Sequence, residues 1–349
     1  MRRYNLLLLI LAASVLLTPA PAVEVKITSY GGTGQWSMYW DFLETEDAYI
    51  LVGGRYWDTA YGFVTKIDKD TGAIVWNTIL PNYTRAEAEI TSIIVSTDGN
   101  YLVAGSAMVY TNERGDYMPT AYIAKLDPKG GVLWEKVYPV GWSNYIFRIR
   151  PAPGGYIAVG FVAGVNRLSG AGWIMKIDEL GYVVWSRLYD PNDTELIDYL
   201  ADVVSVADGY IACGFEGGSR KLWILKVDPN GEIVWERLVG ENITQGITYI
   251  IFLAEYYIDV EVTSLGRRSI VCSKGDYIIT AGTTSGVYAV KITTNGAVLW
   301  ERYYPLGIIV DSAIIAPVVK DKRFIVIADD FNFLVINDFL GMLERRYTG

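Results

Sequence analysis

The sequence has 349 residues, of which 51% are hydrophobic and 20% are charged, with a net charge of −9 at neutral pH. This length suffices for one large hydrophobic core, and the acidic balance argues against a nucleic-acid partner, whose phosphates need Lys and Arg. The sequence contains no His, which excludes a Ser-His-Asp triad and a His-ligated zinc or haem site.

The first 22 residues have the pattern of a secretory signal peptide. A positive start, Arg2 and Arg3, precedes an apolar run over 6–17, and the small residues Ala-Pro-Ala at 20–22 suit cleavage. The run is shorter than the roughly 20 residues that a membrane-spanning helix needs. We therefore expect a secreted or cell-surface protein in which 23–349 is a single domain without a membrane span. A retained N-terminal anchor is the alternative.

One sequence motif recurs along most of the remaining chain and defines a structural repeat. An apolar segment ending in Gly is followed by aromatic-x-x-Lys-aliphatic-Asp and then, after a short gap, by Gly-x-x-x-Trp. The four regular copies are Phe63–Lys66–Asp68–Gly72–Trp76, Tyr122–Lys125–Asp127–Gly130–Trp134, Trp173–Lys176–Asp178–Gly181–Trp185 and Trp223–Lys226–Asp228–Gly231–Trp235. The fifth copy has Thr for Asp, and the sixth lacks both Lys and Trp: Tyr288–Lys291–Thr293–Gly296–Trp300 and Phe333–Ile336–Asp338–Gly341–Arg345. Such self-similarity predicts repeated supersecondary units.

Each unit reads as four short strands joined by tight turns. In the fourth unit the predicted strands are Asp202–Val206, Tyr210–Phe215, Leu222–Val227 and Glu232–Leu238. The turns between them are rich in Asp, Asn, Pro and Gly, which bond or bend their own backbone. The third strand is apolar on both faces, so it must be covered on both sides, as in the stacked sheets of a propeller. One helical turn is allowed within Thr84–Ile94.

The number of copies predicts the architecture. Six units favour an all-β, six-bladed β-propeller of four-stranded antiparallel blades, with seven blades as the alternative. Two segments compete to close the ring, because Val23–Tyr30 and Gly341–Tyr347 both have the sequence character of a fourth strand.

The Asp-x(2,3)-Gly-x-x-x-Trp element resembles the repeat of quinoprotein-like propellers, the family named for pyrroloquinoline quinone. The segment 66–76, KIDKDTGAIVW, matches best, and 155–160, GYIAVG, also looks like secreted propeller repeats of archaea and bacteria. The resemblance implies a propeller over nearly the whole mature chain. It implies no quinone, because the six-bladed dehydrogenases of that family use a His base. The larger ones use adjacent Cys residues and a calcium-binding acidic set, which are not recognisable here.

The repeated side chains are interpreted as structural. A Trp that recurs at one position in each unit favours packing between blades over a cofactor stack. The set is Trp76, Trp134, Trp185, Trp235 and Trp300. The repeated Lys and Asp are interpreted as strand-end and turn-capping residues. The motifs therefore predict no catalytic residue, no cofactor and no metal.

The variable connections point to one face of the ring as the binding surface. Connections between second and third strands, and between units, vary in length, and up-and-down topology places both sets on the same side. Binding residues concentrate on such loops. The candidates are Tyr110, Glu113, Arg114, Asp116, Tyr117, Tyr249, Phe252, Tyr256 and Tyr257. Three N-glycosylation sequons, at Asn82, Asn192 and Asn242, fall on connections of the same face.

These observations predict a non-catalytic binding or scaffold module whose partner is an unknown protein or glycan at the cell surface. The first alternative is a carbohydrate-active enzyme that uses carboxylates on the loop-bearing face. The second is a quinone-dependent dehydrogenase, which the missing His disfavours. Cys213 and Cys272 either pair or stay buried as free thiols.

Overall fold

The computed structural model describes residues 36–56, 61–81, 87–111, 117–163, 170–190, 198–240, 250–254, 257–261, 270–273, 276–283, 286–306, 313–320, 323–328, 332–337 and 343–348. Every regular element in these ranges is a β-strand. The strands form six four-stranded antiparallel sheets and one separate two-stranded hairpin.

The first three sheets follow one another along the chain. Sheet 1 consists of β1 (Trp36–Glu44), β2 (Ala48–Tyr56), β3 (Tyr61–Asp68) and β4 (Ile74–Leu80). Sheet 2 consists of β5 (Ala88–Val95), β6 (Tyr101–Thr111), β7 (Tyr117–Leu126) and β8 (Val132–Tyr138). Sheet 3 consists of β9 (Ser143–Ala152), β10 (Gly155–Ala163), β11 (Gly170–Ile177) and β12 (Val183–Tyr189).

The last three sheets are interrupted by the separate hairpin. Sheet 4 consists of β13 (Tyr199–Val206), β14 (Gly209–Glu216), β15 (Lys221–Val227) and β16 (Ile233–Val239). The hairpin consists of β17 (Ile250–Ala254) and β18 (Tyr257–Glu261). Sheet 5 consists of β19 (Ile270–Ser273), β20 (Asp276–Thr283), β21 (Gly286–Thr293) and β22 (Val298–Pro305). Sheet 6 consists of β23 (Ala313–Lys320), β24 (Arg323–Ala328), β25 (Asn332–Asn337) and β26 (Leu343–Thr348).

The predicted four-strand unit is confirmed, with small changes at its boundaries. In sheet 4 the first strand begins three residues earlier than predicted, at Tyr199, because Tyr199, Leu200 and Ala201 are buried and continue the apolar pattern. Within 84–94 the prediction of a helical turn is wrong for the part that is described. Residues from Ala88 onward pair with β6, as expected for a stretch rich in Ile.

Consecutive sheets pack face to face, and the core lies between them. The first strands converge, because β5 contacts β1, β9 contacts β5, β13 contacts β9, β19 contacts β13 and β23 contacts β19. One cluster joins sheets 1 and 2 through Val52, Ile90 and Tyr122, and another joins sheets 3 and 4 through Ile174 and Trp223. This stacking explains why the middle strands are apolar on both faces.

The two ends of the chain differ in what the structure describes. Gly341–Tyr347 was predicted to supply a fourth strand, and β26 pairs with β25 as the last strand of sheet 6. The competing segment, Val23–Tyr30, lies outside the described residues. The number of blades in the closed ring therefore stays a prediction.

Candidate functional site

The sheets present two different faces at the ends of their strands. The turn face carries the connections between first and second strands and between third and fourth strands. The loop face carries the connections between second and third strands and those between sheets.

On the turn face, each of the first four repeat Trp residues packs on the glycine turn of the following sheet. Trp76 Nε1 donates a hydrogen bond to the carbonyl of Pro128 (3.2 Å), and Trp185 Nε1 donates one to the carbonyl of Pro229 (2.9 Å). A Cβ atom on Gly130 would lie 2.8 Å from the Trp76 ring. The repeat Gly is therefore needed both for its positive φ (86° at Gly130) and for the close approach of the indole.

The repeat Asp and Lys also have contacts on the turn face. Asp178 Oδ1 accepts hydrogen bonds from the backbone N–H groups of Leu180 (2.9 Å) and Tyr182 (2.8 Å). In the fifth copy, Thr293 Oγ1 accepts one from the N–H of Ala297 (3.1 Å) in the same way. In four of the five copies that have Lys, it pairs with an Asp in or directly after the first turn of its own sheet, whereas Lys176 donates to the carbonyl of Ile177 (3.1 Å). The pairs are Lys66–Asp47 (3.0 Å), Lys125–Asp98 (2.7 Å), Lys226–Asp208 (2.8 Å) and Lys291–Asp276 (3.7 Å).

A buried ionic network joins the first strands of the first four sheets. Arg148 Nη1 donates to Asp41 Oδ2 (2.8 Å), which also accepts from the backbone N–H of Ile93 (3.1 Å). Arg150 Nη2 donates to both carboxylate oxygens of Asp202 (3.0 and 3.2 Å). Arg148 and Asp202 are buried, so each charge depends on its partner.

Three members of the network, Asp41, Arg148 and Asp202, occupy the same structural position in sheets 1, 3 and 4. β-Bulges interrupt the register between Tyr39 and Asp41 and between Leu200 and Asp202, and β9 has the same irregularity just before Arg148. A bulge turns the following side chain in a new direction. A charged residue inside an apolar first strand is the sequence signal for this network, and it was not among the predicted site residues.

The predicted binding residues on the loop face are described only in part. Tyr110 and Tyr117 lie at the tip of the β6–β7 hairpin, Phe252 lies in β17, and Tyr257 begins β18. Their side chains, and all of Glu113, Arg114, Asp116, Tyr249 and Tyr256, lie outside the described part, as do the sequons at Asn82, Asn192 and Asn242. The long connection before sheet 5 contains the β17–β18 hairpin. This hairpin was not predicted, because the whole connection was interpreted as a loop.

The loop face also gathers three carboxyl groups where sheets 3 and 4 meet, and sequence reasoning missed them. Asp198 precedes β13, Glu216 ends β14 and Asp190 follows β12. Asp198 is fully buried, and its Oδ1 accepts a hydrogen bond from the N–H of Gly217 (2.8 Å). Its Oδ2 has no donor among the described residues. When protonated, this carboxyl can donate to Asp190, which lies within hydrogen-bonding reach.

The surroundings of Asp198 favour its protonated form. The pKa of Asp198 is raised to about 7, chiefly by burial; the hydrogen bond from the Gly217 N–H lowers it, and the nearby carboxyl groups of Asp190 and Glu216 raise it. Glu216 is held by donors of its own turn, because it accepts from the N–H groups of Gly218 and Ser219 (both 2.7 Å). Asp198 therefore links the two sheets best when it is neutral.

Three further observations concern the described residues. No group of three or more His, Cys, Asp or Glu side chains there is arranged to hold a metal ion. Cys213 carries a free, buried thiol, while the Cys272 side chain lies outside the described part. Within the described ranges, no helix has the length and apolar character needed to cross a bilayer.

Comparison with solved structures identifies the fold. BamB from Moraxella catarrhalis is 14% identical over 87% of this chain and 74% of that chain, with a TM-score of 0.49. The WD40 beta propeller domain of Doa1 is 10% identical over 91% of this chain and 84% of that chain, with a TM-score of 0.51. The likeness to Doa1 covers nearly the whole chain and agrees with the four-stranded sheets. The chain is a β-propeller.

The sequence comparisons add no family to this result. No protein-family model matches the chain, and no curated protein sequence matches it. At these levels of identity the structural likeness concerns the fold alone, so the function of the propeller must be argued from its own residues.

Proposed function

We propose that this propeller is a non-catalytic binding or scaffold module whose loop face binds a protein or glycan outside the cell. The observation that carries the proposal is the contrast between its two faces. Turns between third and fourth strands have five residues in each of the first four sheets. Connections between sheets range from four residues after sheet 2 to 30 after sheet 4. Variable loops on a regular scaffold are typical of binding surfaces.

The scaffold beneath these loops is held by contacts that do not involve them. Trp–Gly packing ties each of the first four sheets to the next on the turn face, and the Arg148 network ties their first strands together. Loops of different length can therefore be carried without a change in the sheets. Preorganisation of this kind lowers the entropy that binding costs.

The most extended part of the loop face is the connection before sheet 5. It contains β17 and β18, which pair with each other from Ile250–Glu261 to Ala254–Tyr257. A hairpin inserted between two sheets adds surface without adding to either sheet. We assign it, together with the tip of the β6–β7 hairpin, as the main binding region.

The test is to replace 247–268 by a short Gly-Ser linker and to measure binding of the labelled protein to a glycan array and to the surface of the producing cells. We expect the deletion to abolish binding while the unfolding temperature is kept. A matched control, Lys129→Glu on the turn face, should bind like the parent protein. Binding that survives the deletion, or that is lost in the control, would overturn the proposal.

Secretion and glycosylation are part of the same proposal. The support is the signal-peptide pattern of 1–22 and the common placement of the three sequons on connections between sheets. We expect native protein to begin after residue 22 and to carry glycans at Asn82, Asn192 and Asn242. Intact-mass analysis that gives the bare mass of the whole chain would contradict both expectations.

The acid pair on the loop face does not suit the alternative of a two-carboxylate glycoside hydrolase. Such enzymes hold their carboxyl groups roughly 5–9.5 Å apart so that a sugar or water fits between them. Asp190 and Asp198 lie within hydrogen-bonding reach of each other, and Asp198 is fully buried. This pair therefore favours a role in joining sheets 3 and 4 over a role in hydrolysis.

A further inference from the structure

The outermost strands of the propeller expose aliphatic side chains at a repeated position. Two residues directly before the repeat Trp are involved, as in Ile233 and Val234 of β16 or Val298 and Leu299 of β22. Sheet 3 has the largest such group, which we call the β12 edge surface. Its members are Leu180 (64% exposed), Tyr182 (62%), Val183 (49%), Val184 (60%) and Leu188 (51%). Contiguous exposed apolar residues of this kind mark interaction sites.

The β12 edge surface surrounds a strand that is open for pairing. Among the described residues β12 is the terminal strand of its sheet, so one row of its backbone N–H and C=O groups has no described strand beside it. A β-bulge interrupts this strand at Val184, between the pairs Trp185–Lys176 and Val183–Ile177. Natural edge strands usually carry charges that prevent pairing with another chain. In β8, β16 and β22 the residue after the repeat Trp is a Glu, namely Glu135, Glu236 and Glu301, whereas β12 has Ser186 there. Glu135 and Glu301 accept hydrogen bonds from Tyr122 and Tyr288 of their own sheets, and Ser186 Oγ accepts one from Trp173 Nε1 (2.7 Å).

We propose that the β12 edge surface binds the same surface of a second copy of this chain, with the two β12 strands antiparallel and centred on Ser186. In this register Val184 lies opposite Leu188 of the second copy, so four exposed aliphatic side chains meet on one side of the new ladder. Cross-strand aliphatic pairs stabilise antiparallel strands. The proposal concerns the rim of the propeller and is independent of partner binding at the loop face.

Charge also favours a second copy as the occupant. The only charged residue of β12 is Arg187, and its Nη2 already pairs with Glu232 (2.7 Å). At the turn end of the β12 edge surface, Lys136 Nζ lies 3.4 Å from the centre of the Tyr182 ring and donates to the carbonyl of Leu180 (2.7 Å). In the proposed register Arg187 lies opposite Trp185 of the second copy, which is a favourable cation–aromatic combination. The same pairing of β16 would place Glu236 against its own copy, and like charges directly opposite each other are destabilising.

Two other outer strands lack a central acid. β26 has Arg345 and Arg346 there, and β4 has Asn77 but a smaller exposed apolar surface. It exposes Ile74, Val75 and Ile79, and the turn before it is polar, with Asp68, Lys69, Asp70 and Thr71 in place of apolar residues. β12 has Leu180 and Tyr182 in that turn, which extend its apolar surface beyond the strand. We therefore assign the contact to β12.

The first test measures self-association of the protein, as purified from the expressing cells, by sedimentation velocity over a wide concentration range. We expect a concentration-dependent dimer whose dissociation constant rises at least tenfold in Val184→Lys. The matched control is Val234→Lys, at the equivalent position of β16 and with similar exposure (52%), which should change the constant less than twofold. Thermal melts of both variants verify that they fold.

The second test uses the symmetry of the proposed contact. In a Cys272→Ser background, Ser186→Cys should form a disulfide-linked dimer under mild oxidation because residue 186 lies opposite itself, whereas Glu236→Cys should stay monomeric. Protein that is monomeric at all concentrations would overturn the proposal, as would equal effects of the two Lys variants or equal cross-linking of the two Cys variants. Monomeric protein that floats with phosphatidylcholine vesicles would assign the surface to lipid and would likewise overturn it.

Discussion

Asp198→Asn is the substitution whose effect the structure predicts most sharply. The carboxyl of Asp198 is fully buried at the junction of sheets 3 and 4, and its pKa is raised to about 7 from an ordinary value of 3.8. A folded-state pKa above the unfolded value means that the fold holds the proton more tightly. The free energy of unfolding therefore falls as pH rises from about 4 to about 7, and the loss is complete above pH 7.

The size of this loss follows from the shift. Each pKa unit corresponds to about 1.4 kcal/mol, so a shift of about three units costs at most about 4 kcal/mol at pH 8. Asn removes this cost because it is neutral at every pH. It also keeps an oxygen for the N–H of Gly217 and gains a donor for Asp190. We expect Asp198→Asn to be more stable than the parent by about 2–4 kcal/mol at pH 8, and by only about 1–2 kcal/mol at pH 5, where part of the loss has already occurred.

The assay is urea unfolding followed by Trp fluorescence at pH 5, 6, 7 and 8. Asp70→Asn, at an exposed turn, is the matched control for the chemical change from Asp to Asn. A variant that is less stable than the parent at pH 8 would refute the reasoning, because it would mean that the ionised carboxyl stabilises the fold. A difference that is the same at pH 5 and pH 8 would refute it as well.

Three other predictions concern the scaffold. Arg148→Ala should destabilise the propeller by about 3–5 kcal/mol in urea, because it leaves buried carboxylates without their partner; a loss below about 1 kcal/mol would contradict a buried network. Gly181→Ala should lower the free energy of unfolding by about 2–4 kcal/mol, because Ala has a strained φ there and its Cβ would clash with an indole ring. Gly154 has a similar φ but open space around it, so Gly154→Ala should lower the free energy of unfolding by about 1 kcal/mol. Equal melting temperatures for the two Ala variants would speak against the indole contact. In a Cys272→Ser background, Cys213 should not react with iodoacetamide at pH 8 until urea unfolds the protein. The reason is that burial raises the pKa of the Cys213 thiol and blocks access of the reagent. Rapid labelling of the native protein would disprove the burial of Cys213.

The repeat units were predictable because their signals are local. The Asp-x-x-Gly turn needs a capping side chain and a residue with positive φ within a few positions of each other. Asp and Gly supply both and are recognisable in the sequence, as at Asp178 and Gly181. Alternation and β-branched residues fix the strands between such turns. The strands of sheet 4 were therefore placed to within a few residues of their observed ends.

The hairpin before sheet 5 was not predicted, because it carries no copy of the repeat. Among the described strands, β17 and β18 pair only with each other. They lack the turn motif of the repeat units, so the sequence offered no repeated signal from which to predict them. The same holds for the acid cluster at Asp190, Asp198 and Glu216, whose members come from a strand end and two connections. Their proximity depends on how sheet 3 sits on sheet 4.

What the sequence by itself determined is the all-β repeat, the turn chemistry and the position of each repeat Trp, since these follow from short-range preferences repeated along the chain. Only the tertiary structure decided what those side chains contact. It placed each of the first four repeat Trp residues on the glycine turn of the next sheet, joined Arg148 to Asp41 across 107 residues, and buried Asp198 among other acids. These outcomes depend on the stacking of distant sheets, because burial and charge proximity arise only when separate units come together.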